Sequence, residues 1–521
     1  MARRTTGSAS VLRRTFHAPD PGLLRLRTAL RGLLGTGLAV TAALLAGLEL
    51  VPALTGGVAA LLALYTVTDP TVRRQAVTTV WLPVAGLPVL ALATVLHETP
   101  GLRNAVLLAI VFLGAYARRW GTRGNALGIF AFMMFFLMQF LQAGPAELPG
   151  ILLAVLLALG CASLVRFGVW CIERRSPPAG PVGPAGGPAR GLRRATTRQA
   201  VQVTAACGLA LAVGEQVSPE RWYWAVGTAW WIFVNTASRG ETLVRGFRRV
   251  VGTVTGLAAG VFVALPLDGA PVPTAALLAV CVFGIFHTAP VSYSWMMFFV
   301  TVMVGLLYGL LGVLHPGLLG LRLQETAVGA LAAALAVAAV LPVTTHAATV
   351  AWIHRTLECV RACTAEAGRR IAGDPAADPR ARVAELGPLL DRVRLSLAPL
   401  LHPLNPLRAR RVRARQIMTL LDDCADRVRA LAVLAADPDT SRDVRLTAAC
   451  RRVEAAVEAL LDPSAPPRGT VVTVPSVHLP ADPDHSWDTD RTLAQLRALE
   501  RSLGRLAPPL HSPPRAPLAR V

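Results

Sequence analysis

The sequence contains no lysine, so all 52 of its basic residues are arginine. That absence excludes Walker-type ATP hydrolysis, whose phosphate-binding loop needs a lysine. It also excludes Schiff-base and pyridoxal chemistry, which need a lysine amine. Charge is scarce, at 16% of residues. The eight cysteines (161, 171, 207, 281, 359, 363, 424 and 450) form no CxxC and no Cys/His metal spacing, and read as small buried apolar side chains in reduced surroundings. Cys359 and Cys363 lie one helical turn apart, a poor placement for a disulfide within one helix. No catalytic triad, paired carboxylates or metal motif stands out, so the expectation is a non-enzyme without cofactor or metal.

What is present is apolar length. Over 521 residues, 53% are hydrophobic, and the mean hydropathy of +0.50 is too high for an ordinary soluble enzyme. Uncharged runs between residues 28 and 345 have the length that crosses a bilayer as a helix. Helices are expected near 28–51, 53–68, 76–96, 103–117, 124–142, 148–172, 197–216, 222–237, 248–266, 272–288, 292–314 and 322–344, about twelve spans in all. The N-terminus lacks an apolar core before residue 28 and does not read as a cleavable signal peptide. Net charge is +21, but the arginines flank alternate connections between apolar runs, which fits the positive-inside rule and anionic lipid better than nucleic acid. On that rule the chain is a multi-pass protein of the cell (inner, cytoplasmic) membrane with both termini cytoplasmic.

The fold expected is all-α and polytopic: two parallel six-helix repeats followed by a cytoplasmic helical domain. LRTALRGLLGTGLAVTAALLAG resembles LRRATTRQAVQVTAACGLALAVG, and FMMFF at 132–136 recurs as WMMFF at 295–299. The divisions are a cytoplasmic segment at 1–27, the first repeat at 28–173, a Pro/Gly linker at 174–196 and the second repeat at 197–345. Amphipathic, arginine-rich helices follow at 346–506, interrupted by a Pro-rich insert, with a disordered tail at 507–521.

The densest charge lies in RGETLVRGFRRVVGTVTG, after a short run holding Trp222, Trp224, Trp230, Trp231 and Asn235. A short helix ending in a polar turn is what a broken, site-lining membrane helix looks like; Tyr65, Thr66, Thr68 and Asp69 occupy the matching place in the first half. Trp222 and Trp224 read as an interfacial aromatic belt. Trp230 and Trp231 lie deeper, where they pack against helices or stack on an aromatic substrate. Gly252, Gly256 and Gly260 share one helix face and permit close packing, with Thr253 and Thr255 beside it. Arg245, Arg248 and Arg249 mark the interface or hold substrate, Arg249 being the best placed for the latter. Arg166, inside the sixth run, is expected to snorkel to the membrane surface. Ionisable groups within spans are rare and point to function. His287 is a helix-end histidine or a proton-coupling group, and Glu325 is a local ion-pair partner of Arg322 or a proton relay.

Two ordered motifs, Arg249-Gly252-Thr253-Gly256 and Arg322-Glu325-Thr326-Gly329, make the chain resemble the fusaric-acid-resistance and aromatic-acid-exporter superfamily over residues 25–345, more closely in the second half. The first half keeps Arg73, Arg74 and Gly86 but lacks the Gly-Thr pair. The resemblance implies proton-driven export of small organic anions, aromatic carboxylic acids above all. The partners would be the lipid bilayer and the anion, with an adaptor protein or homo-oligomer also admitted by the resemblance and nucleic acid not. Two rival readings stand beside it: an anion channel of the same superfamily, and a non-transporting scaffold whose arginine-rich domain binds a partner.

Overall fold

The structure is a computed structural model, and it describes residues 20, 23–168, 191, 194–236, 238–267, 270–314, 316–341, 345–374, 376–401, 408–435, 444–461 and 486–511. All regular structure in these residues is helical. The chain divides into two compact units, Met1–Val343 and Thr344–Val521. Most of the expected linker, the Pro-rich insert, the last ten residues and Cys171 lie outside the described residues.

The first unit contains α1 (Leu24–Leu45), α2 (Leu50–Thr66), α3 (Val72–Val95), α4 (Pro100–Tyr116), α5 (Gly121–Leu141) and α6 (Leu148–Gly168). Six more follow: α7 (Ala195–Val217), α8 (Tyr223–Phe233), α9 (Arg239–Leu267), α10 (Pro271–Thr288), α11 (Tyr293–Leu310) and α12 (Pro316–Ala339). Among the described residues, nine stretches are long and apolar enough to cross a membrane. One of them, Pro100–Leu141, is folded back on itself. A short 3-10 turn joins α4 to α5, and Gly114 and Gly128 meet backbone to backbone where they touch, leaving no room for a Cβ at Gly128. The shortest member is α8, with 11 residues; α2 and α4 have 17 each. At 1.5 Å per residue α8 is about 16 Å long, half of a hydrocarbon core. The span expected at 222–237 is therefore a half-length helix.

Packing within this unit is reciprocal. α3 packs on α5 as α9 does on α11; α1 packs on α2 and α6 as α7 does on α8 and α12. α2 meets α6 as α8 meets α12, and α4 meets α5 as α10 meets α11. Helices 1–6 touch helices 7–12 chiefly along two seams, α4 on α7 and α10 on α1, with α5 also meeting α8. The buried core is rich in alanine and aromatic side chains, while Val80, Val84, Leu113, Leu164, Phe262 and Leu331 are exposed, as on surfaces that face acyl chains rather than water.

The second unit is a bundle of α13 (Thr345–Ile371), α14 (Pro379–Leu401), α15 (Arg408–Leu434), α16 (Val444–Leu461) and α17 (Ser486–His511). Its core draws on Leu357, Val360, Leu390, Val393, Cys424 and Leu499, all buried, at the three- and four-residue spacing of amphipathic helices. Of the tail expected at 507–521, residues 507–511 are helical. Arg413 donates to the carbonyl oxygens of Pro509 and Leu510 and holds the last turn of α17 despite its two prolines. Burial pushes the Cys424 and Cys450 thiols up to about 12 and about 11, away from nucleophilic thiolates at neutral pH.

Candidate functional site

A cavity of about 130 Å³ lies within the first unit, between α2, α5, α8 and α11, with single residues of α9, α10 and α12 closing it. Its walls fall into corresponding positions. One constant shift in numbering relates Val58 to Trp224, Leu61 to Gly227 and Tyr65 to Trp231, all of them lining residues. The shift that aligns FMMFF with WMMFF relates Met133 to Met296, Leu137 to Val300 and Phe140 to Met303, again all lining. The walls are apolar apart from two arginines, Arg249 from α9 and Arg322 from α12.

Both arginines are 5% exposed, and neither forms an ion pair among the described residues. Nη1 of Arg249 lies 3.3 Å from the Tyr293 hydroxyl and 3.3 Å from Sδ of Met297, and its Nε has no acceptor. The Arg322 guanidinium lies over the Trp224 indole, 3.6 Å from the ring centroid, and its Nε and Nη1 have no acceptor. Trp224 is fixed in turn, its Nε1 donating to the Tyr308 hydroxyl at 2.7 Å. Cation–π contact stabilises a desolvated guanidinium by about 2 kcal/mol, less than the several kcal/mol that such burial costs. A cation held there without a counter-ion is half of an anion site.

The cavity gathers some of the sequence candidates and leaves others outside it. Trp231 and Arg249 line it; Trp230, Asn235 and Thr253 do not. Trp230 is fully buried against Phe132, with ring centroids 4.5 Å apart. Asn235 ends α8 in the left-handed region at φ 60° and accepts a long 3.4 Å hydrogen bond from Asn125. Thr253 is buried on α9 between Gly252 and the helix core, and Thr255 bonds Val251 of its own helix. Gly252 and Gly256 seat α11: a Cβ at Gly252 would collide with the Ser294 carbonyl, and one at Gly256 would come within 2.9 Å of the Phe298 carbonyl. Gly260 takes no part, since a Cβ there meets nothing within 4 Å.

The proton-coupling candidates lie apart from the cavity wall. Glu325 is wholly buried; Oε2 accepts from the Ala225 backbone N–H at 3.0 Å, and Oε1 has no partner. It thus caps the N-terminus of α8, where a carboxylate meets unpaired N–H groups and the positive helix end, instead of pairing with Arg322. His287 stacks on Phe283, and its carbonyl accepts from Nε of Arg25 at 3.1 Å.

Three further expectations are corrected. Trp222 and Trp224, read as a lipid-facing belt, are 2% and 8% exposed. Arg103 covers the Trp222 ring at 4.7 Å, and Trp224 is the seat of Arg322. Arg166 does not snorkel outward; it is buried and donates to the carbonyls of Val67 and Ala63, both at 2.8 Å, so it satisfies the end of α2. Arg118 does the same for α8, donating to the carbonyl oxygen of Phe233 at 2.8 Å, a role that no sequence pattern marks.

A helical, polytopic membrane protein of transporter type is the class that these helices and this cavity define. Residues 203–337, from within α7 through most of α12, match the model of the family described as fusaric acid resistance protein-like, which supports the FUSC-like superfamily. Among the described residues no group of three or more metal-ligating side chains occurs. None of the curated proteins compared matches the chain.

Proposed function

We propose that the protein is a carrier of the cell membrane that exports small organic anions, aromatic carboxylates among them, driven by the proton gradient. The observation that carries this reading is the pair of buried arginines without a counter-ion, facing an apolar cavity. Its volume, about 130 Å³, is close to the roughly 150 Å³ of an engineered apolar cavity that takes up benzene, so one aromatic ring is the size of body that fits. Trp224 and Trp231 supply flat faces for it. Glu325 is the stronger proton-coupling candidate, because protonating a buried carboxylate that caps α8 weakens the hold on a helix forming one cavity wall.

In this reading the membrane unit is two parallel six-helix repeats related by a pseudo-two-fold axis through the cavity. The reciprocal packing and the matched lining positions support that arrangement. The arginine-flanked connections favour a cytoplasmic side for both termini and for the second unit. Catalysis forms no part of the reading.

The test is flux in vesicles. Purified protein in liposomes, with an imposed pH gradient, is expected to move hydroxybenzoate and benzenesulfonate, the latter because a strong acid does not leak as a neutral species. Arg249→Ala at equal incorporation should abolish that flux. Movement that equals protein-free vesicles, or that ignores the Arg249 substitution, sinks the proposal. Flux that follows the anion gradient alone, without a pH difference, would favour a channel.

A further inference from the structure

The two cations of the cavity are anchored at different points along α11. Arg249 is fastened where α11 presents Tyr293 and Met297. Arg322 is fastened through Trp224 to Tyr308, near the other end of the same helix. From Met297 to Tyr308 the axial rise is about 16 Å, and between these anchors the wall is Val300, Met303, Val304 and Leu307. Both side chains line the same apolar space, and neither guanidinium has an ion-pair partner among the described residues. No carboxylate lines the cavity, and the carboxylate of Glu325 is engaged with Ala225.

A monoanion in this space neutralises one arginine and leaves the other buried without a partner. A dianion neutralises both, and every buried cation left unpaired is a large loss. We infer that the cavity selects dianions whose two acid groups are separated by an apolar body the size of one ring, Arg249 and Arg322 each taking one carboxylate. Benzene-1,4-dicarboxylate is the smallest rigid member of that class. A planar guanidinium suits each carboxylate, because it can grip one through two N–H groups, and Nε and Nη1 of Arg322 are donors without an acceptor. This inference rests on the anion-carrier reading of the same cavity.

The test is calorimetric titration of the purified full-length chain with benzoate and with benzene-1,4-dicarboxylate. The dicarboxylate is expected to bind at least tenfold tighter than benzoate, one per chain. Arg322→Gln should bring the dicarboxylate down to the affinity of benzoate while moving benzoate less than threefold. Arg322→Lys, which keeps the charge, should retain most of the preference and so guards against a variant that merely misfolds. Equal affinities in the unaltered protein, or two benzoates bound per chain, overturn the inference while leaving an anion site intact. Failure of the carrier reading looks different: neither ligand binds, or Arg249→Gln alters neither.

Discussion

The two halves of the membrane unit build the same walls but not the same chemistry. α2 and α5 face the cavity with Val58, Leu61, Tyr65, Met133, Leu137 and Phe140; α8 and α11 answer with Trp224, Gly227, Trp231, Met296, Val300 and Met303. Both arginines come from the second half. The only polar side chain of the first half at the wall, Tyr65, spends its hydroxyl on Sδ of Met296 at 3.4 Å. One half therefore acts as an apolar counterpart to the charged half. Helix packing constrains both halves alike, whereas one charged side is enough to bind an anion.

The sharpest way to break that comparison is to remove a charge on one side and a hydroxyl on the other. Truncating one partner of a buried charge pair costs about 2–5 kcal/mol, and 2 kcal/mol is already about thirtyfold. Arg249→Ala is therefore expected to cut anion flux by at least about thirtyfold at unchanged membrane abundance, and Tyr65→Phe by no more than a few-fold. Equal losses in the vesicle assay would mean that the first half carries polar function after all.

Glycine placement gives the next effect. Gly252→Ala pushes α9 off the Ser294 carbonyl of α11 and should cost about 1–3 kcal/mol, the usual penalty of overpacking. Gly260→Ala, on the same stripe, meets nothing and should leave the unfolding temperature in detergent unchanged. The first half makes its tight contacts elsewhere, at Gly114 with Gly128 and at Gly86 beneath Phe130. A Gly260 variant as damaged as the Gly252 variant would return the whole stripe to the packing role that its spacing suggests.

Tryptophans separate wall from core. Trp231 lines the cavity, while Trp230 is stacked beneath Phe132. Trp231→Leu should weaken binding of aromatic acids by about tenfold, the ~1.4 kcal/mol scale of one aromatic contact, with little change in stability. Trp230→Leu should do the reverse. Its counterpart experiment is Gly227→Ala, whose Cβ would stand 2.7 Å from Cε2 of Phe136. That substitution drives the ring toward the cavity and should exclude ortho-substituted benzoates before benzoate itself. Binding curves for the two classes of ligand check both.

Much of this frame was legible in the residues themselves. Apolar run length located the helices, and the short α8 followed from the polar turn after Trp231. The duplicated FMMFF and WMMFF stretches both reach the cavity, though their recurrence gave no sign of a cavity. Burial by protein was not legible, because a tryptophan facing lipid and one facing another helix look alike in sequence; Trp222 and Trp224 were misplaced for that reason. Arg322 was hidden by its own neighbour. An arginine three residues before a glutamate reads as a local pair, yet Glu325 turns to the N–H of Ala225, 100 residues away, and leaves the guanidinium to Trp224. Arg118 and Arg166 were hidden likewise, since their acceptors are backbone carbonyls, which no sequence pattern marks.

The smallest effect concerns the two seams between the halves. At one, α4 meets α7 through Glu215, which accepts from Asn104 at 2.8 Å and lies 3.7 Å from Arg103. At the other, α10 meets α1, where Arg25 donates to the backbone carbonyl of His287 and Asp20 accepts from the backbone N–H groups of Arg25 and Leu26. If the seams are held mainly by apolar packing, charge at one of them is dispensable. Glu215→Gln keeps an acceptor for Asn104 and removes only a pair whose carboxylate side is 33% exposed. At 3.7 Å, with Arg103 12% exposed, the pair is long and half-buried; it should contribute about 1 kcal/mol, so the unfolding midpoint should move by about that amount, and less in high salt. A larger loss, relieved by a compensating charge at position 103, would make the seams as unequal as the cavity walls and place a load-carrying ion pair between the halves.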